Sequence, residues 1–331
     1  MTDTFHAGRI PLTVIGGFLG SGKTTLLNHM LQGNDGRRLA VLVNDFGAIN
    51  IDASLVSARG ADMISLANGC VCCQIGGDLT DALIRVIDST PRPDAIVIEA
   101  SGVSDPWRIA QVSLADPALA LDGVVVLVDV TSVLAQAADP LLADTVDRQL
   151  RAADLLVLNQ CDRADAGTLA AVRARFDAQL PDTPRFETRF GEVPVALLGG
   201  ALPLATRDTS HGPHCAAGCS HTAHDHDHAP DHGAEFDTWS LTAPGVFRAD
   251  ALRALLRAMP PGVIRLKGVV HTDAQGLAVL QFAGRHGSLR AWPAGTPQPA
   301  TTDNTLVAIG LRGRLHAAAL EQSLRGSLTA R

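Results

Sequence analysis

The sequence has no excess of basic residues, no long hydrophobic run and few cysteines. Its 331 residues carry 27 Lys+Arg against 34 Asp+Glu, a net charge of -7, so there is no broad cationic surface for a nucleic-acid backbone. Asp, Gly or Pro interrupts every apolar stretch before the roughly 18 residues that could span a bilayer. The N-terminus also lacks the basic stretch and apolar core of an export signal. We therefore expect a soluble cytoplasmic protein that binds neither nucleic acid nor membrane.

The six cysteines make a poor disulfide framework. Three of them, Cys70, Cys72 and Cys73, lie in the sequence NGCVCC, where they are too close along the chain to form unstrained bridges with one another. In a reducing compartment these thiols would stay free to bind a metal.

The sequence GFLGSGKT fits the phosphate-binding pattern G-x-x-x-x-G-K-[ST]. An apolar run at 10–15 precedes it and apolar residues at helical spacing follow it, which is the strand-loop-helix context that the pattern requires. Backbone N–H groups and the helix N-terminus can bind phosphate oxygens, Lys23 adds a positive charge and Thr24 can bind Mg²⁺. The predicted nucleotide-binding residues of this loop are Gly17, Gly20, Ser21, Gly22, Lys23, Thr24 and Thr25.

The next apolar run, 95–98, stops at Glu99, and Gly102 follows three residues later. A carboxylate at a strand end beside a phosphate loop can hold Mg²⁺ through water or orient the attacking water, and a glycine N–H can bind the terminal phosphate. We therefore predict Glu99, with Lys23, as a catalytic residue and Gly102 as a phosphate ligand. The alternative is a solvent-facing acid at a strand end.

A further apolar run, 155–158, ends in NQCD. The Asp162 carboxylate can accept hydrogen bonds from the N1–H and amine of guanine, whereas adenine has no matching pair of donors. Asn159 and Asp162 are therefore predicted to select GTP over ATP. Gln160 stands where the usual Asn-Lys-x-Asp motif has lysine. Cys161 is interpreted as a small buried residue rather than a ligand.

Five motifs, GGFLGSGKTT, VNDFGAINID, NGCVCC, IEASG and NQCD, resemble in this order the CobW-like metal-chaperone GTPases. KGVVHT at 267–272 and TLVAIG at 305–310 are similar to that family's smaller C-terminal domain. The resemblance implies Mg²⁺-dependent hydrolysis of GTP and a client metalloprotein that docks on the C-terminal domain. With no obvious arginine finger in the chain, hydrolysis should be slow without a partner.

Two departures limit what the resemblance implies. Family members commonly carry an Asn-Glu-Phe-Gly motif followed by another acid. This chain has Asn-Asp-Phe-Gly at 44–47, and Ala48 follows it. The chain also lacks the longer signature of members dedicated to cobalt delivery, so cobalt is not assigned.

Cys70, Cys72 and Cys73 can supply three of the four ligands of tetrahedral Zn²⁺. The segment must bend for the three sulfurs to face one ion, and Gly69 favours such a bend. It lies where nucleotide switches occur, between the phosphate loop and Glu99, so GTP could gather the thiols and hydrolysis release them. The alternative is that Cys70 and Cys73 are core residues and only Cys72 is exposed.

Residues 211–232 hold seven of the twelve histidines and two cysteines in a stretch of low hydrophobicity. Such a composition predicts a flexible linker that captures Zn²⁺, Co²⁺ or Ni²⁺ weakly, and a solvated linker without a metal role is the alternative. The predicted auxiliary ligands are His211, His214, Cys215, Cys219, His221, His224, His226, His228 and His232.

The pattern predicts three regions. Residues 1–200 alternate apolar runs with helix-like stretches, which indicates an α/β P-loop NTPase domain with a mostly parallel sheet flanked by helices. Residues 201–234 are the linker and residues 235–331 a small α+β domain, in which IRLKGVV and LAVLQFAG could pair as antiparallel strands. The predicted helices of the first region are 23–32, 78–88, 141–152 and 165–178, and its predicted strands are 10–15, 39–43, 95–99, 123–129 and 154–158.

The function predicted from these features is that of a GTP-hydrolysing metallochaperone that binds a transition metal, with zinc favoured, and delivers it to a client protein. Two alternatives remain open. The first is a metal buffer on a GTPase scaffold, and the second is an activator that inserts cobalt or iron into one particular enzyme.

Overall fold

A computed structural model describes residues 9–32, 38–43, 63–65, 78–198, 236–292 and 303–329. Strands and helices alternate along its first part in the order β1 (Ile10–Gly17), α1 (Lys23–Gln32), β2 (Leu39–Val43), β3 (Met63–Ser65), α2 (Asp78–Ile87), β4 (Ala95–Glu99), α3 (Pro106–Ala115), β5 (Leu119–Asp129), α4 (Val133–Ala138), α5 (Ala143–Ala152), β6 (Leu155–Asn159), α6 (Ala166–Gln179), β7 (Arg185–Glu187) and α7 (Val195–Leu198). The second part contains β8 (Phe236–Ala243), β9 (Val246–Phe247), α8 (Ala249–Arg257), β10 (Val263–Thr272), β11 (Gly276–Ala283), β12 (His286–Ala291), β13 (Asn304–Leu311), α9 (Ala317–Arg325) and β14 (Leu328–Thr329).

The first part forms one sheet with the strand order β3-β2-β4-β1-β5-β6-β7, and each described pair of neighbours is parallel. The predicted α/β P-loop fold with a mostly parallel sheet is therefore confirmed. Because parallel strands end at the same edge, the residues that follow β1, β4 and β6 are brought together there.

Helices cover both faces of this sheet. Residues alternate between the faces along a strand, so Leu12 and Val14 of β1 join one apolar cluster and Ile15 joins the other. The first cluster includes residues of α2, α3, α5 and α6, and the second includes residues of α1 and α7. Burial on both faces explains why these strands read as continuous apolar runs.

The second part forms a largely antiparallel sheet in the order β12-β11-β10-β13-β8, with β9 and β14 at one side. The predicted pairing of IRLKGVV with LAVLQFAG is confirmed, since Leu266 lies opposite Phe282 and Val269 opposite Val279. Leucines of α8 and α9 cover one face of this sheet. The predicted domain limits of 200, 201–234 and 235 stay predictions, because the structure does not describe residues 199–235.

The two sheets pack against each other. Ile264 of β10 and Ile309 of β13 belong to the same buried cluster as α1 and α7. A buried ion pair accompanies this contact, because Arg265 Nη1 donates to Asp122 Oδ1 over 2.9 Å. The relative placement of the two parts is therefore fixed by both apolar and charged contacts.

The prediction that β5 begins at residue 123 is wrong, because β5 begins at Leu119. Leu12 of β1 pairs with Leu121 of β5, and the next residue, Thr13, pairs with Gly123. Asp122 therefore has no partner in β1 and forms a β-bulge. A bulge changes the direction of a side chain, and here it accommodates a carboxylate that pairs with the second part of the chain.

Among the described helices, none is both long and apolar enough to cross a bilayer.

Candidate nucleotide and metal site

The glycine-rich loop lies between β1 and α1, as its sequence predicts. Its backbone has positive φ at Gly17, Gly20 and Gly22, with values of 134°, 78° and 100°. Residues other than glycine rarely adopt such backbone conformations. A Cβ at Gly17 would overlap the Leu127 carbonyl, and one at Gly22 would overlap the Asn159 amide. The loop is therefore pressed against the ends of β5 and β6, and larger residues would not fit.

The inside of this loop offers groups suited to a phosphate. The Ser21 hydroxyl is buried and makes no hydrogen bond with any described residue. Lys23 is also buried, and its Nζ donates to the Phe18 carbonyl over 3.2 Å across the loop. No acidic residue lies in the first turn of α1, whose N-terminus therefore presents positive potential. A buried hydroxyl donor, a lysine and a helix N-terminus fit a phosphate group.

Thr24 and Glu99 are brought together, although they are 75 residues apart in the chain. The Thr24 hydroxyl donates to Glu99 Oε1 over 3.3 Å, and the Glu99 side chain is only 2% exposed. Glu99 is the last residue of β4 and lies beside Ile15 of β1. A hydroxyl and a carboxylate at this position are oxygen ligands of the kind Mg²⁺ binds. Their roles as Mg²⁺ ligands stay predictions.

Gly102 follows β4 and lies against the phosphate loop. A Cβ there would approach Leu19 Cγ to 2.6 Å and the Leu19 nitrogen to 2.8 Å, so only glycine allows this approach. Gln149 of α5 is buried and donates to the carbonyls of both Gly102 and Ser104 over 3.0 Å. Gln149, which no sequence motif indicates, positions the loop that carries the predicted phosphate ligand.

Asn159 lies in the interior rather than at the base-binding surface. Its Nδ2 donates to the Ser21 carbonyl over 2.9 Å, and its Oδ1 accepts from the Gly191 N–H over 3.0 Å. Asn159 therefore joins the phosphate loop to the loop that follows β7. It supports the glycine-rich loop through these backbone contacts.

The side chain of Gln160 contacts the phosphate loop, whereas that of Asp162 is exposed. Gln160 has a φ of 62°, and its Nε2 donates to the Gly20 carbonyl over 3.0 Å. Its side-chain amide therefore contacts the phosphate loop. Asp162 is exposed, and its carboxylate makes no hydrogen bond or ion pair with another residue of the described part. That carboxylate is available to accept hydrogen bonds from a purine base.

Cys161 is half-buried and packs at the margin of the first apolar cluster. Its Sγ donates to the Leu158 carbonyl over 3.2 Å. Burial raises the pKa of the thiol, and the nearby Glu187 carboxylate raises it further. The thiol therefore stays protonated at neutral pH, which agrees with its interpretation as a packing residue.

The loop 188–191 after β7 was also missed. The Cys161 N–H donates to the Thr188 carbonyl over 3.2 Å, and Gly191 contacts Asn159, so the loop borders the predicted base site. Phe190 is 64% exposed and has a φ of 53°. The sequence offered one indication, a strand-like RFE followed two residues later by Phe-Gly. His29, interpreted as a surface residue, lies with Nε2 3.1 Å from the Phe190 oxygen.

The predicted transition-metal ligands lie outside the described residues. They comprise Cys70, Cys72 and Cys73 and the His- and Cys-rich stretch 211–232, and residues 44–52 of VNDFGAINID lie outside as well. The described ranges themselves contain no group of three or more His, Cys, Asp or Glu side chains arranged to hold a metal. The thiol and histidine sites therefore stay predictions.

The chain matches two family models in succession. Residues 11–186 match the nucleotide-binding domain of CobW/HypB/UreG, and residues 236–328 match the cobalamin synthesis protein cobW C-terminal domain. The chain belongs to the CobW/HypB/UreG family. This family assignment makes the glycine-rich loop that of a P-loop GTPase.

Relatives of this CobW-family chain extend over its whole length. A zinc chaperone CobW of Sinorhizobium sp. is 33% identical over 99% of both chains. The zinc chaperone YjiA of Escherichia coli is 34% identical over 57% of this chain and 60% of its own. A crystal structure of Zn(II)-bound YjiA GTPase from E. coli covers 97% of this chain and 99% of its own, with 22% identity and a TM-score of 0.45.

Replacing Asp162 by asparagine should change the base preference of this CobW-family GTPase. The substitution Asp162→Asn replaces a carboxylate oxygen, which accepts hydrogen bonds, with an amide N–H, which donates them. This N–H would face another donor in the 2-amine of guanine, whereas it could donate to the 2-carbonyl of xanthine. We expect the affinity for GTP to fall by at least about tenfold and the affinity for XTP to rise, because a charged hydrogen bond is worth roughly 1.5–3 kcal/mol. Titration with fluorescent analogues of GTP, XTP and ATP measures the change.

A matched control is Asp182→Asn, which removes the charge of another exposed aspartate after α6. That variant should keep the native preference for GTP. An Asp162→Asn protein with unchanged preference would show that this carboxylate does not contact the base.

Proposed function

We propose that this protein is a metallochaperone that binds Zn²⁺ at Cys70, Cys72 and Cys73 and transfers it to a client protein under the control of GTP binding and hydrolysis. The observation that carries the proposal is the proximity of Thr24 Oγ1 to Glu99 Oε1, at 3.3 Å, beside the phosphate loop. Glu99 pairs in register with Val43, which in turn pairs with Ser65. Ser65 therefore lies in the same row of the sheet as Glu99, and NGCVCC begins three residues later in the sequence.

The phosphate loop binds the nucleotide first. Lys23 would leave the Phe18 carbonyl for the phosphate oxygens, because an ammonium binds an anion more strongly than a neutral carbonyl. The Ser21 hydroxyl and the N-terminal N–H groups of α1 can donate to the same phosphates. Asp162 then accepts hydrogen bonds from guanine.

Hydrolysis requires an oriented water and stabilisation of the charge on the transferred phosphoryl group. Thr24 and Glu99 would hold Mg²⁺, which supplies positive charge at the terminal phosphates. Glu99 can also orient the attacking water, and Gly102 can bind the terminal phosphate through its N–H. The sequence has no obvious arginine finger, so hydrolysis should be slow until a partner completes the site.

Zinc is the favoured cargo for two reasons. Three thiolates suit its tetrahedral coordination, and two relatives of this chain carry the name zinc chaperone. A site with only three protein ligands in one segment leaves the fourth position for a ligand of the client. We place the protein in the cytoplasm, where the thiols stay reduced, and place client docking on the C-terminal domain.

A competitive Zn²⁺ titration of the reduced protein tests the coupling. A chromophoric chelator reports zinc affinity with Mg²⁺ and a non-hydrolysable GTP analogue, and again without nucleotide. We expect the analogue to tighten zinc binding by at least about tenfold, or 1.4 kcal/mol, and zinc to tighten analogue binding by the same factor, because coupling is reciprocal. Equal zinc affinity in both states would instead make the protein a metal buffer on a GTPase fold.

Two variants separate the contributing sites. Cys72→Ser should remove the nucleotide-dependent zinc site and leave GTP binding in place. Deletion of 211–232 should lower the number of weakly bound ions and leave GTP hydrolysis largely intact, because the predicted role of the histidines is auxiliary capture. Loss of hydrolysis on deletion would argue that the linker has a structural role.

A further inference from the structure

A cleft of about 920 Å³ lies between the two parts of the chain, away from the phosphate loop. Residues of α3 and β5 form one wall, and residues of α8, β11 and β12 form the other. Five arginines line it and none of its described lining residues is acidic. These arginines are Arg9, Arg253, Arg257, Arg285 and Arg290.

This concentration of positive charge is local, because the chain as a whole has a net charge of -7. Arg253 and Arg257 are exposed and four residues apart on α8, so they lie on the same face of the helix. The guanidinium groups of Arg253, Arg257 and Arg290 make no ion pair or hydrogen bond with any other described residue. Like charges without counterions raise the local potential and attract an anionic partner.

Arg9 and Arg290 show that the arginines influence one another across the cleft. Burial lowers the pKa of Arg9, and the neighbouring Arg290 charge lowers it further. The Arg9 guanidinium is held by the carbonyl of Pro117 at 2.6 Å and by that of Asp116 at 3.0 Å. A carboxylate placed between these two side chains would relieve their repulsion and could bind in a bidentate manner.

The cleft also contains an edge strand. β12 is the last strand of the C-terminal sheet and pairs through one side with β11. No other described strand pairs with its outer side, and Gly287, Arg290 and Ala291 are exposed. An edge strand presents unpaired N–H and C=O groups at regular spacing, which an extended peptide can match.

We propose that this cleft binds an extended acidic peptide segment of a partner protein, which adds to the edge of β12 and places its carboxylates against the arginines. Side chains alternate along an extended peptide, so every second one would face the leucines of the cleft, among which Leu114 is 53% exposed. The strand edge favours a peptide over a nucleic acid. Among the described lining residues the only aromatic ring is that of His286, and it already stacks on Trp107 with centroids 5.3 Å apart.

The binding surface itself is independent of zinc and GTP. Only the identification of the partner as the client for zinc rests on the proposed function. A binding measurement without zinc and nucleotide therefore fails or succeeds separately from the zinc titration.

The test uses the full chain and a short fluorescein-labelled peptide of alternating glutamate and valine, followed by fluorescence anisotropy at low ionic strength. We expect saturable binding that the double variant Arg253→Gln/Arg257→Gln weakens by at least about tenfold, because each arginine would bind a carboxylate. Arg290→Gln provides an independent variant with the same expected direction. These side chains are exposed, and equal thermal unfolding of the variants verifies the fold.

The matched control is Arg148→Gln/Arg314→Gln, which removes two exposed arginines outside the cleft and changes the net charge equally. It should change affinity by less than about twofold. A peptide with glutamine in place of glutamate, and one N-methylated on alternate backbone nitrogens, should both lose binding. The proposal would be overturned if the control variant lost as much peptide affinity as the cleft variants. It would also be overturned if the N-methylated peptide, tripolyphosphate or a single-stranded oligonucleotide bound as tightly as the glutamate–valine peptide.

Discussion

Replacing Lys23 with alanine is expected to lower the affinity for GTP by at least about a hundredfold, because the lost interaction joins an ammonium to phosphate oxygens in a partly desolvated loop. Lys23 is 7% exposed, and its Nζ already lies inside the loop, 3.2 Å from the Phe18 carbonyl. Neighbouring loop residues cannot replace its charge, because residues 17–22 contain no cation. Titration with a fluorescent GTP analogue measures the loss, and a hydrolysis assay should show no turnover.

The control for this prediction is Lys23→Met, which keeps the apolar stem and removes the ammonium. Its loss of GTP affinity should match that of the alanine variant, whereas thermal unfolding without nucleotide should stay close to that of the native protein. Retained GTP turnover in either variant would refute the assignment of this loop as the phosphate site. The same variants should remove the effect of GTP on zinc affinity.

The nucleotide site could be predicted from sequence because its parts lie at the ends of apolar runs. Residues 95–99 were predicted as a strand and form β4, and α1 has its predicted limits of 23 and 32. Parallel strands end at a common edge, so Thr24 and Glu99 could be expected to meet although their contact spans 75 residues. The positions of these groups follow from a local pattern and one topological rule.

Helix α3 shows a signal that was present and not used. Asp105 caps it by accepting from the Trp107 N–H over 3.0 Å, and Pro106 occupies its first turn. An aspartate followed by proline is a common helix start, so this pair was a local signal for the helix.

Other features had no local signal. Gln149 reaches Gly102 across 47 residues, and Gly191 donates to Asn159 across 32. Such contacts depend on how α5 and the loop after β7 pack against the sheet, and neither polar residues nor glycines at these positions indicate a partner. The sequence therefore indicates candidate nucleotide ligands at the strand ends, whereas the residues that hold their loops in place carry no local signal.

The sequence patterns also did not indicate how the two parts of the chain pack against each other. Asp122 interrupts an apolar run, and this interruption led to the late start predicted for β5. In the fold the Asp122 side chain is 0% exposed, and Oδ1 accepts from Arg265 Nη1 over 2.9 Å and from Gln281 Nε2 over 3.2 Å. Lys267 Nζ lies 3.6 Å from the same oxygen. The carboxylate thus faces two buried cations from another part of the chain.

Asp122→Ala should destabilise the protein by roughly 3–5 kcal/mol, because it removes one partner of a buried charged cluster and leaves Arg265 and Lys267 in a poorly solvated site. The control is Asp147→Ala, which breaks the exposed pair with Arg151 and should cost only about 0.3–0.5 kcal/mol. Urea unfolding followed by tryptophan fluorescence compares the two, and Asp122→Asn should lie between them because it keeps a hydrogen-bond acceptor. If Asp122→Ala cost no more than Asp147→Ala, the cluster would not hold the two sheets together, and the apolar contacts of Ile264 and Ile309 would have to account for the interface.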